Sequence, residues 1–101
     1  MKDKKELQEL YKECMEYWGF EKQARMAQEE CAELIIAISH ILRSRPDGMG
    51  GVIEECADVY LMLNQMIAYV GEEAVMKVVD FKSDRVKNKL RKYKVEEINE
   101  D

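Results

Sequence analysis

The residues that oppose helix formation most strongly fall at three places in this chain. The only proline, Pro46, shares one short stretch with Gly48, Gly50 and Gly51; the other two glycines are Gly19 and Gly71. The segments between are free of breakers for long enough to make helices rather than many short strands. In the first, Leu7, Leu10, Tyr11, Cys14, Tyr17 and Trp18 recur at helical spacing. They predict a helix from about Asp3 to Trp18, with Asp3 and Glu6 spaced as in a capping box. A second helix is expected from about Glu21 to Leu42, followed by the turn-forming stretch "RSRPDGMGG". A third spans about Val52 to Tyr69 and a fourth about Glu72 to Tyr93. No segment alternates as a strand would. The expected fold is all-α: a four-helix chain whose central pair forms an antiparallel helical hairpin.

Composition agrees with one helical domain over 1–101, with a core at about 18–93 and an acidic tail at 96–101. Hydrophobic residues make up 47% and charged residues 37%, a soluble profile. No apolar run approaches the ~18 residues that span a bilayer. The opening "MKDKKELQEL" lacks the apolar centre of a signal peptide. Cys14, Cys31 and Cys56 are odd in number and lack CxxC spacing, as suits reduced thiols in a cytoplasmic protein; each is expected to act as a small buried hydrophobe. The net charge of −5 argues against a nucleic-acid polymer as partner. Basic residues are nonetheless concentrated between Lys82 and Lys94, where Asp84 is the only acid.

The most informative feature is a repeat. "EECAEL" begins at Glu29 and "EECADV" at Glu54, each inside an apolar run. Carboxylates are among the residues least often buried. At ~100° per residue, Ala27, Cys31, Leu34, Ile38 and Ile41 share one sector of the second helix. Glu30 stands at its edge and Glu33 ~60° beyond. In the third helix Val52, Cys56, Val59, Leu63, Met66 and Val70 form the matching sector, with Glu55 at its edge and Asp58 ~60° beyond. Packed as a hairpin, the two helices can bring Glu30, Glu33, Glu55 and Asp58 together, leaving Glu29 and Glu54 outside. Four such carboxylates either take up protons or enclose a cation. Oxygen-only ligands favour Mg²⁺, or Mn²⁺, over zinc. A di-iron carboxylate bundle needs Glu-x-x-His on two helices; His40 is the sole histidine, so that reading fails.

The pattern Glu30-x-x-Glu33, then Glu55-x-x-Asp58, resembles the MazG-like all-α nucleoside triphosphate pyrophosphohydrolases. That superfamily also holds dimeric dUTPases and phosphoribosyl-ATP pyrophosphatases. "WGFEKQARMAQEECAEL" and "FKSDRVKNKL" extend the similarity over roughly Trp18 to Arg91. The resemblance implies hydrolysis of a nucleoside triphosphate to the monophosphate and pyrophosphate. It implies Glu30, Glu33, Glu55 and Asp58 as Mg²⁺ ligands, with Glu33 or Glu30 accepting the water proton. The basic fourth helix then gains a use: Lys82, Arg85 and Lys89 share one face and can hold phosphate oxygens. Gln23 lies on the Glu30 stripe, where an amide can read a base edge. Trp18 can stack on a base or pack in an interface. The alternatives are a phosphoribosyl-ATP pyrophosphatase and a non-enzymatic helical interaction module.

Ile36 and Leu61 point away from their helices' main apolar sectors, so a second apolar surface is expected. A core this thin is completed most simply by a second copy. The expectation is a homodimer whose hairpins form a four-helix bundle, or a homotetramer.

Overall fold

The computed structural model describes residues 1–46 and 48–100. Among them it contains four α-helices and no strand: α1 (Lys4–Trp18), α2 (Phe20–Leu42), α3 (Gly48–Val70) and α4 (Glu72–Glu100). The chain divides into a unit Met1–Val70 and a unit that begins at Gly71. No helix among the described residues is long and apolar enough to cross a membrane.

The helix ends follow local chemistry. The Asp3 carboxylate accepts the Glu6 N–H at 2.8 Å and caps α1. Gly19 (φ 84°) and Gly71 (φ 111°) separate successive helices in a backbone region that side chains disfavour. At the end of α2 the Arg45 N–H reaches the His40 carbonyl and the Ser44 N–H that of Ile41. These two bonds make a Schellman ending, with Ser44 at φ 57° where glycine is usual.

Two boundaries differ from the sequence expectation. The third helix starts at Gly48 rather than Val52, so "GMGG" is its first turn. Glycine here serves packing. A β-carbon on Gly48 would lie 2.9 Å from Ile41 Cγ1 and 3.0 Å from its backbone nitrogen, so only glycine lets the α3 start meet the α2 end. The fourth helix continues through the acidic tail to Glu100 instead of stopping near Tyr93. Asp47 and Asp101, in the expected turn and tail, lie outside the described residues.

The first unit is built on the α2–α3 hairpin, with α1 packed on both helices. Matching positions show the register. Gln23 bonds Gln65, Glu30 shares a cluster with Asp58, and a β-carbon on Gly51 would stand 3.8 Å from Ala37 Cβ. Each step is seven residues on both helices, or two turns and about 10 Å. The core is thin. Tyr11 and Ala37 are the buried apolar residues among those described, and Gln23 and Gln65 are buried as well, each 5% exposed.

The seam is rotated from the expected one. Ala27, Glu30, Leu34, Ala37 and Ile41 line it on α2, and Val52, Glu55, Asp58, Val59, Met62 and Met66 on α3. Cys31, Ile38, Cys56, Leu63 and Val70, expected inside, are exposed. Cys14 is half-buried. The acids thus stand within the seam rather than at its edge, and an apolar strip is left outside. Ile35 and Ile53 are each 66% exposed, and Ile36 and Leu61 are exposed as expected. The second unit, α4, is exposed along almost its whole length.

Candidate metal centre

Glu30 on α2 and Glu55 and Asp58 on α3 meet where the hairpin packs. One carboxylate oxygen from each lies within 4.8 Å of the other two, and all three side chains are half-buried. The i, i+3 spacing of Glu55 and Asp58 places both on one helix face. Two oxygens on opposite sides of Mg²⁺ stand about 4.2 Å apart, given bonds of about 2.1 Å. Three ligands cannot all stand opposite one another, so at least two of the three pairs would be neighbours about 3.0 Å apart, and a trio spread over up to 4.8 Å has to draw inward around such an ion.

Glu55 carries the clearest sign of an unmet need. Its Oε2 is buried and has no hydrogen-bond partner. Burial raises its pKa above the ordinary carboxylate value, and the charges of Asp58, Glu30, Glu33 and Glu54 raise it further. A buried, partnerless carboxylate oxygen beside two other carboxylates is an arrangement that either a proton or a cation relieves. The donor set is oxygen alone, which suits a hard divalent ion. The residues present fit Mg²⁺ on these grounds.

Other expected site residues fall in different settings. Glu33 is exposed and stands outside the trio, near enough to act on Glu55. Glu29 and Glu54 are exposed, as their helix phase requires. Gln23 is buried, and its Nε2 donates to Gln65 Oε1 at 2.6 Å; its amide faces the hairpin interior rather than solvent. Trp18 is exposed, with Tyr17 edge-on at 5.4 Å and the Lys22 ammonium 5.7 Å from its ring. Lys82, Arg85 and Lys89 are exposed on α4. His40 is half-buried near the end of α2.

Sequence reasoning passed over Gln65. A signal was available: Gln65 follows Asp58 by seven residues just as Gln23 precedes Glu30 by seven, so the two amides mirror each other about the acids. Tyr11, expected on the apolar stripe of α1, is buried there; its hydroxyl has no partner, and its pKa is raised by burial and then by Tyr60.

Compared with family models, with curated proteins and with solved structures, the chain matches none. Any functional reading therefore rests on the motif and on the geometry of the trio.

Proposed function

We propose that this chain is a Mg²⁺-dependent nucleoside triphosphate pyrophosphohydrolase of the MazG-like kind, yielding a nucleoside monophosphate and pyrophosphate. The observation that carries the reading is the convergence of Glu30, Glu55 and Asp58 across the α2–α3 seam, with Glu55 Oε2 buried and unpartnered. A surface acidic cluster would leave its oxygens to water. This one withdraws an oxygen from water and gives it nothing in return.

In this reading Glu30, Glu55 and Asp58 hold the ion, and Glu33 joins them from the exposed edge. When bound, the ion would neutralise the polyphosphate and lower the pKa of water. Glu33, exposed beside the trio, is suited to take the water proton, with Glu30 as the other candidate. Lys82, Arg85 and Lys89 would donate charge-assisted hydrogen bonds to phosphate oxygens. Trp18 offers a ring for stacking on a base. The exposed apolar strip containing Ile35 and Ile53 would be covered by a second copy, so that two hairpins make a four-helix bundle, with a tetramer as the larger possibility. In this reading the chain works in the cytoplasm and clears unwanted nucleotides.

The test is a product assay on a panel of ribo- and deoxyribonucleoside triphosphates together with phosphoribosyl-ATP, with and without Mg²⁺. The reading expects monophosphate and pyrophosphate from at least one triphosphate, only with metal. Turnover of phosphoribosyl-ATP alone would assign the chain to histidine synthesis. Release of diphosphate and orthophosphate, or no turnover of any substrate, would refute the proposal.

A further inference from the structure

The Gln23–Gln65 pair is the most deeply withdrawn polar contact among the described residues. Both side chains are 5% exposed, their hydrogen bond is 2.6 Å, and Gln65 Nε2 turns back to Met62 Sδ at 3.6 Å. Burying two amides is costly unless they satisfy each other, and packing alone would be served as well by leucine or methionine. What an amide pair adds is direction and distance: it bonds in one arrangement of the two helices and in no neighbouring one.

Its position gives that property a consequence. At the tip, α2 and α3 are held by the close approach of Gly48 to Ile41. Toward the other end α2 and α3 are joined by this amide pair and, about one turn further on, by the stacked rings of Phe20 and Tyr69, 4.3 Å apart. The acids lie between these two points, one heptad from the glutamines on each helix. Met62 and Met66 beside them are flexible side chains that can follow a shift of the helices. Without the amide bond the far end of the seam would be left to the Phe20–Tyr69 stack, whose parallel rings can slide over one another where a 2.6 Å hydrogen bond cannot, and the carboxylates depend on the two helices' separation.

We propose that Gln23 and Gln65 are positioning residues: their buried amide bond clamps the far end of the α2–α3 hairpin and so keeps Glu30, Glu55 and Asp58 within reach of one cation. The inference deepens the metal-site reading above and rests on it. It also gives Gln23 a role other than contact with a base.

The experiment compares the parent chain with Gln23→Leu and Gln65→Leu, singly and together, using Mn²⁺ as the probe. Each single substitution strands a buried amide and lowers the melting temperature; the double substitution removes both partners and recovers it. A purely structural pair would recover metal binding along with stability. The clamp predicts that the double variant still binds Mn²⁺ about tenfold or more weakly, the scale seen when groups that orient metal ligands are lost. Hairpin geometry is read independently by spin labels at Arg25→Cys and Ala68→Cys, with the native cysteines replaced and labelled chains diluted in unlabelled protein. The distance distribution should be narrow with the glutamines and broad without them. Parental Mn²⁺ affinity in the double variant, or an unchanged distance distribution, overturns the clamp. Failure of the parent itself to bind Mn²⁺ would instead sink the metal reading, and the clamp would then stand or fall on the distance distribution alone. If leucine proves too destabilising, Gln23→Met with Gln65→Met, closer in shape, carries the same expectations.

Discussion

Gly48 meets Ile41 so closely that a β-carbon at 48 would stand 2.9 Å from Ile41 Cγ1 and 3.1 Å from its Cα. Part of what it would strike is backbone, which cannot swing aside. Three residues on, a β-carbon at Gly51 would meet only Ala37 Cβ, at 3.8 Å, an ordinary contact. Two glycines in one helical turn therefore respond to alanine in opposite ways. Gly48→Ala should destabilise the fold by about 1–3 kcal/mol through overpacking. Gly51→Ala should stabilise it by about 0.5–1 kcal/mol through helix propensity. Urea denaturation of the two variants checks both signs, and equal effects would show that the α3 start does not pack on the α2 end as described.

That pair also marks a limit of sequence reading. Asp3, Gly19 and Gly71 end helices by local chemistry and were legible. "GMGG" reads locally as a loop, because the reason for its glycines is a tertiary contact with Ile41. The acids were legible as a repeat, and their pairing across a hairpin followed from helical phase. The seam's rotation was not. Apolar periodicity marks the richest hydrophobic sector, which here holds Cys31, Ile38, Cys56 and Leu63. The sector that packs within the chain instead runs through Gln23, Glu30, Glu55, Asp58 and Gln65, and polar side chains in a seam leave no hydrophobic signal.

The raised pKa of Glu55 makes the metal-free chain sensitive to pH. A carboxyl whose folded pKa lies above its unfolded value of 4.5 binds a proton more tightly when folded. Its penalty on folding is absent below about pH 4.5 and grows as pH climbs through the raised folded value. In chelator, the melting temperature should fall over that interval, and Glu55→Gln should flatten the fall while raising stability at neutral pH. Thermal denaturation from pH 4 to 8 measures it. An identical profile in Glu55→Gln would show that Glu55 is not under strain in the fold.

The exposed apolar strip bears on assembly. Ile35 and Ile53 are each 66% exposed, and Ile36, Ile38, Leu42 and Leu61 are exposed with them. Sedimentation at micromolar concentration should therefore give a dimer or larger species. Ile53→Glu should shift the population toward the monomer while leaving helix content intact, since its side chain supports little within the chain. A parent protein that sediments as an 11.9 kDa monomer would refute the arrangement.

The claim on which the rest depends is that Glu30, Glu55 and Asp58 together hold a divalent cation, and metal-dependent stability tests it most directly. Binding to the folded state alone raises stability by mass action. At neutral pH, millimolar Mg²⁺ or Mn²⁺ should raise the melting temperature of the parent chain. The same addition should leave Glu55→Gln unmoved, because the buried oxygen that lacks a partner has been replaced by a neutral amide. A parent chain whose melting temperature does not respond to either ion, or a Glu55→Gln variant that responds as the parent does, would contradict the account.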